Sequence, residues 1–251
     1  MTHNKTIKKV YIVGAGPGDP ELLTLKAQRV LREADVVIYD ALVNPEILQH
    51  CKPNAEIIKV GKRRNNHSFS QLQIASLLID RAKKGERVIR LKGGDPLIFG
   101  RLGEEILELF SKNIEIEIIP GITSAFAVAA DMKFPLTHRQ LGSSITFLTG
   151  EEFYEKTTNK LKWERIIWGA DTIIVYMILY NLPKIIKKFL SVGYSAEKPI
   201  VLVQWASLKK KNFLIGTIGT IIHQVIESKF GPPSLAIIGE VIEISSIIQK
   251  L

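Results

Sequence analysis

The sequence predicts an α/β protein with two domains, the first built on a mainly parallel sheet and the second on a mixed sheet. In the first half of the chain, short apolar runs alternate with helical stripes, which is typical of parallel strands connected by helices. Several of these runs stop at glycine, proline or acidic residues. In the second half, the runs at 200–204 and 213–217 are too close in sequence for a helical crossover, which favours antiparallel pairing.

The predicted elements of the first part of the chain are, in order, strand 10–13, helix 22–33, strand 36–39, strand 57–60 and helix 70–84. Each strand is a short, mostly apolar run, and the first helix carries apolar residues at helical spacing. The second helix begins at a capping box formed by Ser70 and Gln73, and Gly85 ends it.

The remaining elements are predicted on the same grounds. They are strand 87–91, helix 104–110, strand 114–119, helix 125–130, strands 144–149 and 172–177, helix 182–192, strands 200–204 and 213–217, helix 221–228 and strand 235–239. We divide the chain into an N-terminal domain, 1–116, and a C-terminal domain, 117–251. A single continuous domain is the alternative, because 251 residues fit either arrangement.

Composition limits the classes of partner and compartment. A net charge of +9 favours anionic partners, although most of the lysines are spread along the chain as a solvated surface would have them. The single Cys51 excludes an internal disulfide, and no apolar run is long enough to span a membrane, so we predict a cytoplasmic protein with no membrane partner. The histidines show no ligand spacing, so we predict no metal site.

The stretch from Arg90 to Arg101 is the strongest candidate for a ligand site. Gly93, Gly94 and Asp95 follow a predicted strand, at the end where open α/β sheets bind small molecules. Adjacent glycines let the backbone approach a ligand, and the carboxylate supplies an acceptor. On these residues alone, a plain turn between strand and helix is an equally good interpretation.

The glycine-rich loop 14–20 departs from the dinucleotide-binding fingerprint. Its third glycine comes one residue early, Pro17 lacks an amide hydrogen, and Asp19 would repel a pyrophosphate. These departures disfavour a dinucleotide-dependent reductase. A ligand with a positive charge, such as the sulfonium of S-adenosylmethionine, is electrostatically consistent with Asp19 and Asp95.

Together these motifs resemble the tetrapyrrole methylase family. The resemblance is carried by VYIVGAGPGDP at 10–20, ADVVIYD at 34–40, VGKR at 60–63, RLKGGDPLIFG at 90–100, PGITS at 120–124 and PLTHR at 135–139. It extends to the closing residues 239–241 and so covers nearly the whole chain. Within the family, the motifs are most similar to those of members that methylate uroporphyrinogen III.

The resemblance implies two α/β domains, S-adenosylmethionine bound in the cleft between them, and a homodimer. It also implies methylation of uroporphyrinogen III at C2 and then C7, giving precorrin-2 by way of precorrin-1 for sirohaem or cobalamin synthesis. A methylase acting on a later corrin precursor is the nearest alternative. A basic RNA-methylating protein is a more distant one, disfavoured because no aromatic stacking platform or basic helix is visible.

The site residues implied by the resemblance fall into three groups. The cofactor-binding candidates are Pro17, Gly93, Gly94, Asp95, Ile98, Thr123, Ser124, Met177 and Ala206. Asp40 would be the general base and Lys62 the second acid/base group, while Arg101 and Arg139 would bind substrate carboxylates. Without the resemblance, Asp40 would be interpreted as a turn cap and Lys62 as part of a solvated loop.

Five positions depart from the family pattern. The family usually has glycine where this chain has Leu102, Ile178 and Ala206, threonine where it has Ser207, and often arginine where it has Ala41. These departures concern the fine geometry of the cofactor site more than the reaction. The extra N-terminal module that some relatives carry is missing from the sequence, which predicts the methylase activity alone.

Overall fold

The computed structural model describes residues 9–61, 69–151 and 163–248. The chain divides into two compact units, Met1–Ser124 and Ala125–Leu251. The first unit extends past the predicted boundary at 116/117, because the strand at residues 116–119 pairs with the first strand of the chain.

The first unit is built on a five-stranded sheet in which every described pairing is parallel. Its strands are β1 (Val10–Gly14), β2 (Val36–Tyr39), β3 (Glu56–Lys59), β4 (Val88–Lys92) and β5 (Ile116–Ile119), in the order β3-β2-β4-β1-β5. The prediction of a mainly parallel first sheet is therefore confirmed.

Helices cover both faces of this sheet. They are α1 (Leu25–Arg32), α2 (Gln71–Lys83) and α3 (Leu102–Ser111). Val30 and Leu31 of α1 pack against one face of the sheet, whereas apolar residues of α2 and α3, including Leu78 and Leu109, pack against the other. The predicted capping box opens α2, with reciprocal hydrogen bonds between Ser70 and Gln73.

The second unit is built on a five-stranded mixed sheet, as predicted. Its elements are α4 (Ser124–Asp131, which starts at the last residue of the first unit), β6 (Ile145–Thr149), α5 (Trp163–Trp168), β7 (Thr172–Tyr176), α6 (Leu182–Ser191), β8 (Pro199–Gln204), β9 (Asn212–Thr217), α7 (Ile221–Ser228), β10 (Ser234–Ile238) and α8 (Glu243–Ile248). The strand order is β6-β7-β10-β8-β9; β6 and β7 are parallel, and the other pairs are antiparallel.

Several local features differ from the predicted elements. The first helix begins at Leu25 rather than Leu22, because Asp19 caps a short 3₁₀ helix, Pro20–Leu22, and Thr24 then caps α1. A second 3₁₀ helix, Pro45–His50, and the helices α5 and α8 were not predicted. Each of these elements has only six residues, too few to show a clear apolar periodicity. No helix in the described part of the chain is long and apolar enough to cross a membrane.

Candidate functional site

The candidate site of the first unit lies at the carboxyl edge of its parallel sheet. Because the strands all run in one direction, the loops that follow β1, β2, β4 and β5 emerge at the same edge. The predicted site residues on these loops are Pro17, Asp40, Gly93, Gly94, Asp95, Ile98, Arg101, Thr123 and Ser124. The topology thus gathers nine of the thirteen predicted positions at one edge of one sheet.

Three glycines hold the loops after β1, β4 and β5 in close contact. A Cβ atom at Gly121 would lie 2.3 Å from the carbonyl oxygen of Gly94 and 2.9 Å from Cα of Gly14. A Cβ atom at Gly14 would lie 2.5 Å from the amide nitrogen of Gly121. Any larger residue at Gly14 or Gly121 would therefore force the two backbones apart.

The loops after β1 and β4 are also joined by backbone hydrogen bonds. Gly16 and Gly94 exchange N–H···O bonds of 3.1 and 2.7 Å, and both have a positive φ. The space that a Cβ atom of Gly94 would occupy is open, and Gly93 is exposed. This arrangement leaves one side of the backbone at residues 93 and 94 uncovered, so a ligand can approach it closely.

Asp95 fastens the loop after β4 to the loop after β5. Its Oδ1 accepts the amide hydrogen of Leu97 at 2.7 Å, and its Oδ2 accepts that of Gly121 at 3.0 Å. The carboxylate therefore fixes the shape of the glycine-lined surface. Asp19 has a local role as well, since its Oδ1 caps the 3₁₀ helix by accepting the amide hydrogen of Glu21 at 2.9 Å.

Asp40 belongs to a network of charged side chains at the ends of β2 and β4. Its Oδ1 accepts a hydrogen bond of 2.5 Å from Nη2 of Arg90, and its Oδ2 lies 3.7 Å from Nζ of Lys92. Arg90 and Lys92 are buried, and both also donate to Oε1 of Glu105 on α3, at 3.1 and 2.8 Å. Asp40 itself keeps 29% of its side chain exposed, so it is the member of the network that solvent reaches.

The backbone beside Asp40 leaves no room for a side chain at Gly61, two residues after the end of β3. A Cβ atom at Gly61 would lie 2.2 Å from the amide nitrogen of Ala41 and 2.9 Å from Cα of Asp40. Gly61 is therefore required for the end of β3 to approach the end of β2. Lys62, the predicted second acid/base group, follows Gly61 but lies outside the described residues.

Arg101 lies on the exposed turn between β4 and α3. Its guanidinium forms a two-point ion pair with Glu104, at 3.0 and 2.7 Å, and its side chain remains 61% exposed. Ile98, in the same turn, is half-buried. Leu102, a departure from the family pattern, is buried in the core beneath α3, so its side chain serves packing.

The loop after β5 leads into α4 through Thr123 and Ser124. Thr123 is buried, and Ser124 is the first residue of the helix. Pro17, on the loop after β1, is half-buried. These three residues lie on the loops that the glycine contacts hold together.

The other predicted positions lie in the second unit, each at the end of a strand or in a tight turn. Met177 follows β7 with φ of 53° and is 40% exposed. Ala206 follows β8 and is buried between two residues with positive φ, Trp205 and Ser207. Arg139 is exposed in a turn closed by backbone bonds between residues 138 and 142.

The sequence analysis assigned no role to Arg90, Lys92 or Glu105. One signal was available, because two cations two residues apart in a buried strand point to the same face and need anionic partners there. The partner on α3 could not be identified, since Glu104 and Glu105 are both on the predicted helix. No group of three or more metal-ligating side chains occurs within the described ranges.

These features suit a cationic ligand with a carboxylate and an amine better than a phosphate. The backbone at Gly93 and Gly94 is open to close approach by such a ligand, whereas Pro17, on the loop after β1, has no amide hydrogen to donate to a phosphate. Asp40 adds a carboxylate on the same edge of the sheet, with unshared lone pairs available to accept a proton.

The chain matches the model of the family described as Tetrapyrrole (Corrin/Porphyrin) Methylases over residues 9–222. It is 44% identical to a uroporphyrinogen-III C-methyltransferase of Methanocaldococcus jannaschii over 237 residues, covering 94% of this chain and 97% of the relative.

Two solved structures support the same relationship. A uroporphyrin-III C-methyltransferase of Thermus thermophilus in complex with S-adenosylhomocysteine is 36% identical, with a TM-score of 0.79 over 94% of this chain and 99% of the other. A cobalt precorrin-4 methyltransferase from cobalamin biosynthesis is 28% identical, with a TM-score of 0.83 over 93% and 95%.

Proposed function

The chain belongs to the tetrapyrrole methylase family, and on that premise we propose that it methylates uroporphyrinogen III at C2 and then at C7, using S-adenosylmethionine. The product is precorrin-2, formed by way of precorrin-1, for sirohaem or cobalamin synthesis. The observation that carries the substrate assignment is the 44% identity, over almost the full length of both chains, with a uroporphyrinogen-III C-methyltransferase.

S-adenosylmethionine supplies an electrophilic methyl group on a sulfonium, so the protein has to hold the donor in line with the attacking pyrrole carbon. We assign this positioning to the carboxyl edge of the first sheet. There the backbone of Gly93 and Gly94 is open to close approach, and Asp95 fixes their loop against Gly121. The further cofactor contacts proposed from the family pattern are Pro17, Ile98, Thr123, Ser124, Met177 and Ala206.

Asp40 is the proposed general base. Once the new C–C bond has formed, the pyrrole ring is cationic and must lose a proton to regain its neutral form. The Asp40 carboxylate contacts Arg90 and Lys92 on its buried side. On its exposed side the carboxylate is open to solvent and can accept that proton. Lys62 is proposed as the second acid/base group, which returns or accepts protons as the two methylations proceed.

Substrate recognition requires cations, because a uroporphyrinogen carries eight carboxylates. Arg101 and Arg139 are the proposed partners, since a guanidinium binds a carboxylate at two points. Arg101 already binds Glu104 in this way, and an exposed ion pair of this kind is weak enough to be exchanged for a substrate carboxylate.

We predict that Arg101→Gln raises KM for uroporphyrinogen III roughly tenfold and leaves kcat nearly unchanged, because a charge-assisted contact to bound substrate is lost. Steady-state kinetics at saturating S-adenosylmethionine provide the measurement. Arg32→Gln, at an exposed arginine of α1, is the matched control and should behave as wild type. An unchanged KM in the Arg101 variant would remove Arg101 from the substrate site.

A later corrin precursor is the second candidate substrate, and the TM-score of 0.83 with a cobalt precorrin-4 methyltransferase favours it. The identity to that protein is only 28%, however, against 44% for the uroporphyrinogen-III enzyme. The two candidates share the methyl donor and differ in the acceptor.

An acceptor panel separates these functions. The protein is incubated with methyl-labelled S-adenosylmethionine and, in parallel, with uroporphyrinogen III, a later corrin precursor or RNA. We expect label in the uroporphyrinogen fraction alone. Transfer to one of the other acceptors, with none to uroporphyrinogen III, would overturn the substrate assignment.

Two further properties are proposed, the oligomeric state and the compartment. We propose a homodimer, on the family resemblance, and light scattering that gives the mass of a single chain at working concentration would contradict it. We propose a cytoplasmic enzyme, because a chain with the single cysteine Cys51 cannot form the internal disulfides that are common in secreted proteins. Fractionation of the source cells tests the compartment.

A further inference from the structure

Glu105 is the most deeply placed member of the charged network and has no exposed surface. Its Oε1 accepts three hydrogen bonds: from Nε and Nη2 of Arg90, at 3.2 and 3.1 Å, and from Nζ of Lys92, at 2.8 Å. One carboxylate oxygen thus fixes both cations. Because Glu105 is fully buried, any effect on substrate has to pass through the groups it holds.

The second oxygen of Glu105 makes the network unusual. Oε2 is buried and has no hydrogen-bond partner among the described residues. A buried carboxylate oxygen that accepts no hydrogen bond lowers the free energy of unfolding. An ion pair that served stability alone would be more favourable with hydrogen-bond donors to both oxygens. The residue is therefore poorly explained by stability alone.

The positions of Arg90 and Lys92 on β4 place both side chains next to Asp40. Arg90 and Lys92 are two residues apart on β4, so their side chains point to the same face of the sheet. That face is the one that α3 covers, and Glu105 lies on α3. Asp40 follows β2, the neighbouring strand, and contacts both cations. The turn after β4 covers this arrangement, because a Cβ atom at Gly100 would lie 3.3 Å from Cε of Lys92.

The charges of the described network balance only when Glu105 is included. Arg90 and Lys92 bring two positive charges, and Asp40 and Glu105 bring two negative ones. Without Glu105, Asp40 would be the remaining anion of the network. Arg90 would keep the hydrogen bonds from Nη1 to the carbonyl oxygens of Ile38 and Leu91, whereas Lys92 would lose its shortest contact, the 2.8 Å bond to Oε1. Glu105 therefore fixes both the direction and the strength of the positive field at Asp40.

We propose that Glu105 is a positioning residue for the methylation. It holds Arg90 and Lys92 beneath Asp40 and offsets part of their charge, so that the Asp40 carboxylate keeps its outward orientation and its capacity to accept the substrate proton. This inference rests on the proposed function, in which Asp40 is the base. Glu105 itself touches neither substrate nor cofactor.

A double-mutant cycle tests the proposal. Turnover of labelled S-adenosylmethionine with uroporphyrinogen III is measured for wild type, Glu105→Gln, Asp40→Asn and the double variant. We expect Glu105→Gln to lower kcat on the order of tenfold in the wild-type background and by less than about threefold in the Asp40→Asn background. Binding of S-adenosylhomocysteine, measured by calorimetry, should stay at the wild-type level.

The control on the same helix is Glu108→Gln, which should leave kcat unchanged because Glu108 is not a member of the charged network. Equal losses from Glu105→Gln in both backgrounds would indicate a structural role and overturn the proposal, as would wild-type turnover of the single variant. Failure of the proposed function is distinguishable, since wild type itself would then transfer no methyl group to uroporphyrinogen III.

A second variant keeps the test informative if Glu105→Gln does not fold. Lys92→Met/Glu105→Gln removes one buried cation and one buried anion together and leaves Arg90 opposite Asp40. We expect it to fold, to bind S-adenosylhomocysteine as wild type does, and to lose turnover on the order of tenfold. Wild-type kcat in this variant would overturn the proposal.

Discussion

An Asp40→Asn variant should turn over uroporphyrinogen III at least about a hundredfold more slowly than wild type, because an amide cannot accept the proton that the methylated ring must lose. The amide oxygen can still accept the hydrogen bond from Arg90, so the loop after β2 should keep its conformation. Affinity for S-adenosylhomocysteine, measured by calorimetry, should therefore remain unchanged while kcat falls.

Asp80→Asn is the matched control for this experiment, because Asp80 is exposed on α2 and lies outside the charged network. It should retain wild-type kcat and cofactor affinity. Asp40 is not the base if the Asp40→Asn variant turns over at the wild-type rate. A parallel loss of cofactor binding would instead assign Asp40 to the cofactor site.

The second large effect is expected from Gly121→Ala. The new methyl group would lie 2.3 Å from the carbonyl oxygen of Gly94 and 2.9 Å from Cα of Gly14, so the loops after β1, β4 and β5 would have to separate. Overpacking of this kind lowers the free energy of unfolding by about 1–3 kcal/mol. We expect binding of S-adenosylhomocysteine to fall below detection in calorimetry, because the peptide groups of residues 93 and 94 would move.

Gly103→Ala provides the control for adding the same methyl group. Apart from its chain neighbours and the adjacent backbone of the helix, no atom lies within 4 Å of the position that its Cβ would take, and Gly103 is in the first turn of α3. Its stability should be unchanged or higher by up to about 1 kcal/mol, with wild-type cofactor affinity. If Gly121→Ala binds the cofactor analogue as tightly as Gly103→Ala does, the three-glycine contact is not part of the cofactor site.

Much of the fold could be predicted because its strands are short apolar runs that end at recognisable residues. The run at 10–13 ends in glycines and the run at 36–39 ends at Asp40, which identified the carboxyl edge of the first sheet. The close spacing of 200–204 and 213–217 predicted the antiparallel pair formed by β8 and β9. These features are local, so the sequence carries them directly.

Features that depend on contacts between distant residues were not predictable in the same way. Gly93 and Gly94 were recognised as a site for close approach, but the approach of Gly121 to Gly14 depends on the order β4-β1-β5 in the sheet. The start of α1 was also misplaced, because the cap at Thr24 was not recognised.

The candidate base, Asp40, also combines a local feature with contacts to residues that are distant in sequence. Asp40 was predicted at a strand end, but its partners Arg90 and Lys92 come from β4, 50 and 52 positions further along the chain, and Glu105, which binds both of them, comes from α3. Arg90 and Lys92 looked like ordinary strand residues beside a glycine motif. Their burial against Glu105 became apparent only once α3 was placed on the face to which both side chains point.

The most direct test of the proposed function is the mass of the product formed from unlabelled uroporphyrinogen III and S-adenosylmethionine. We expect a transient species carrying one added methyl group, followed by a product carrying two, with one S-adenosylhomocysteine formed for each methyl group transferred. A tetrapyrrole whose mass stays unchanged, in the presence of protein that binds S-adenosylhomocysteine, would contradict it.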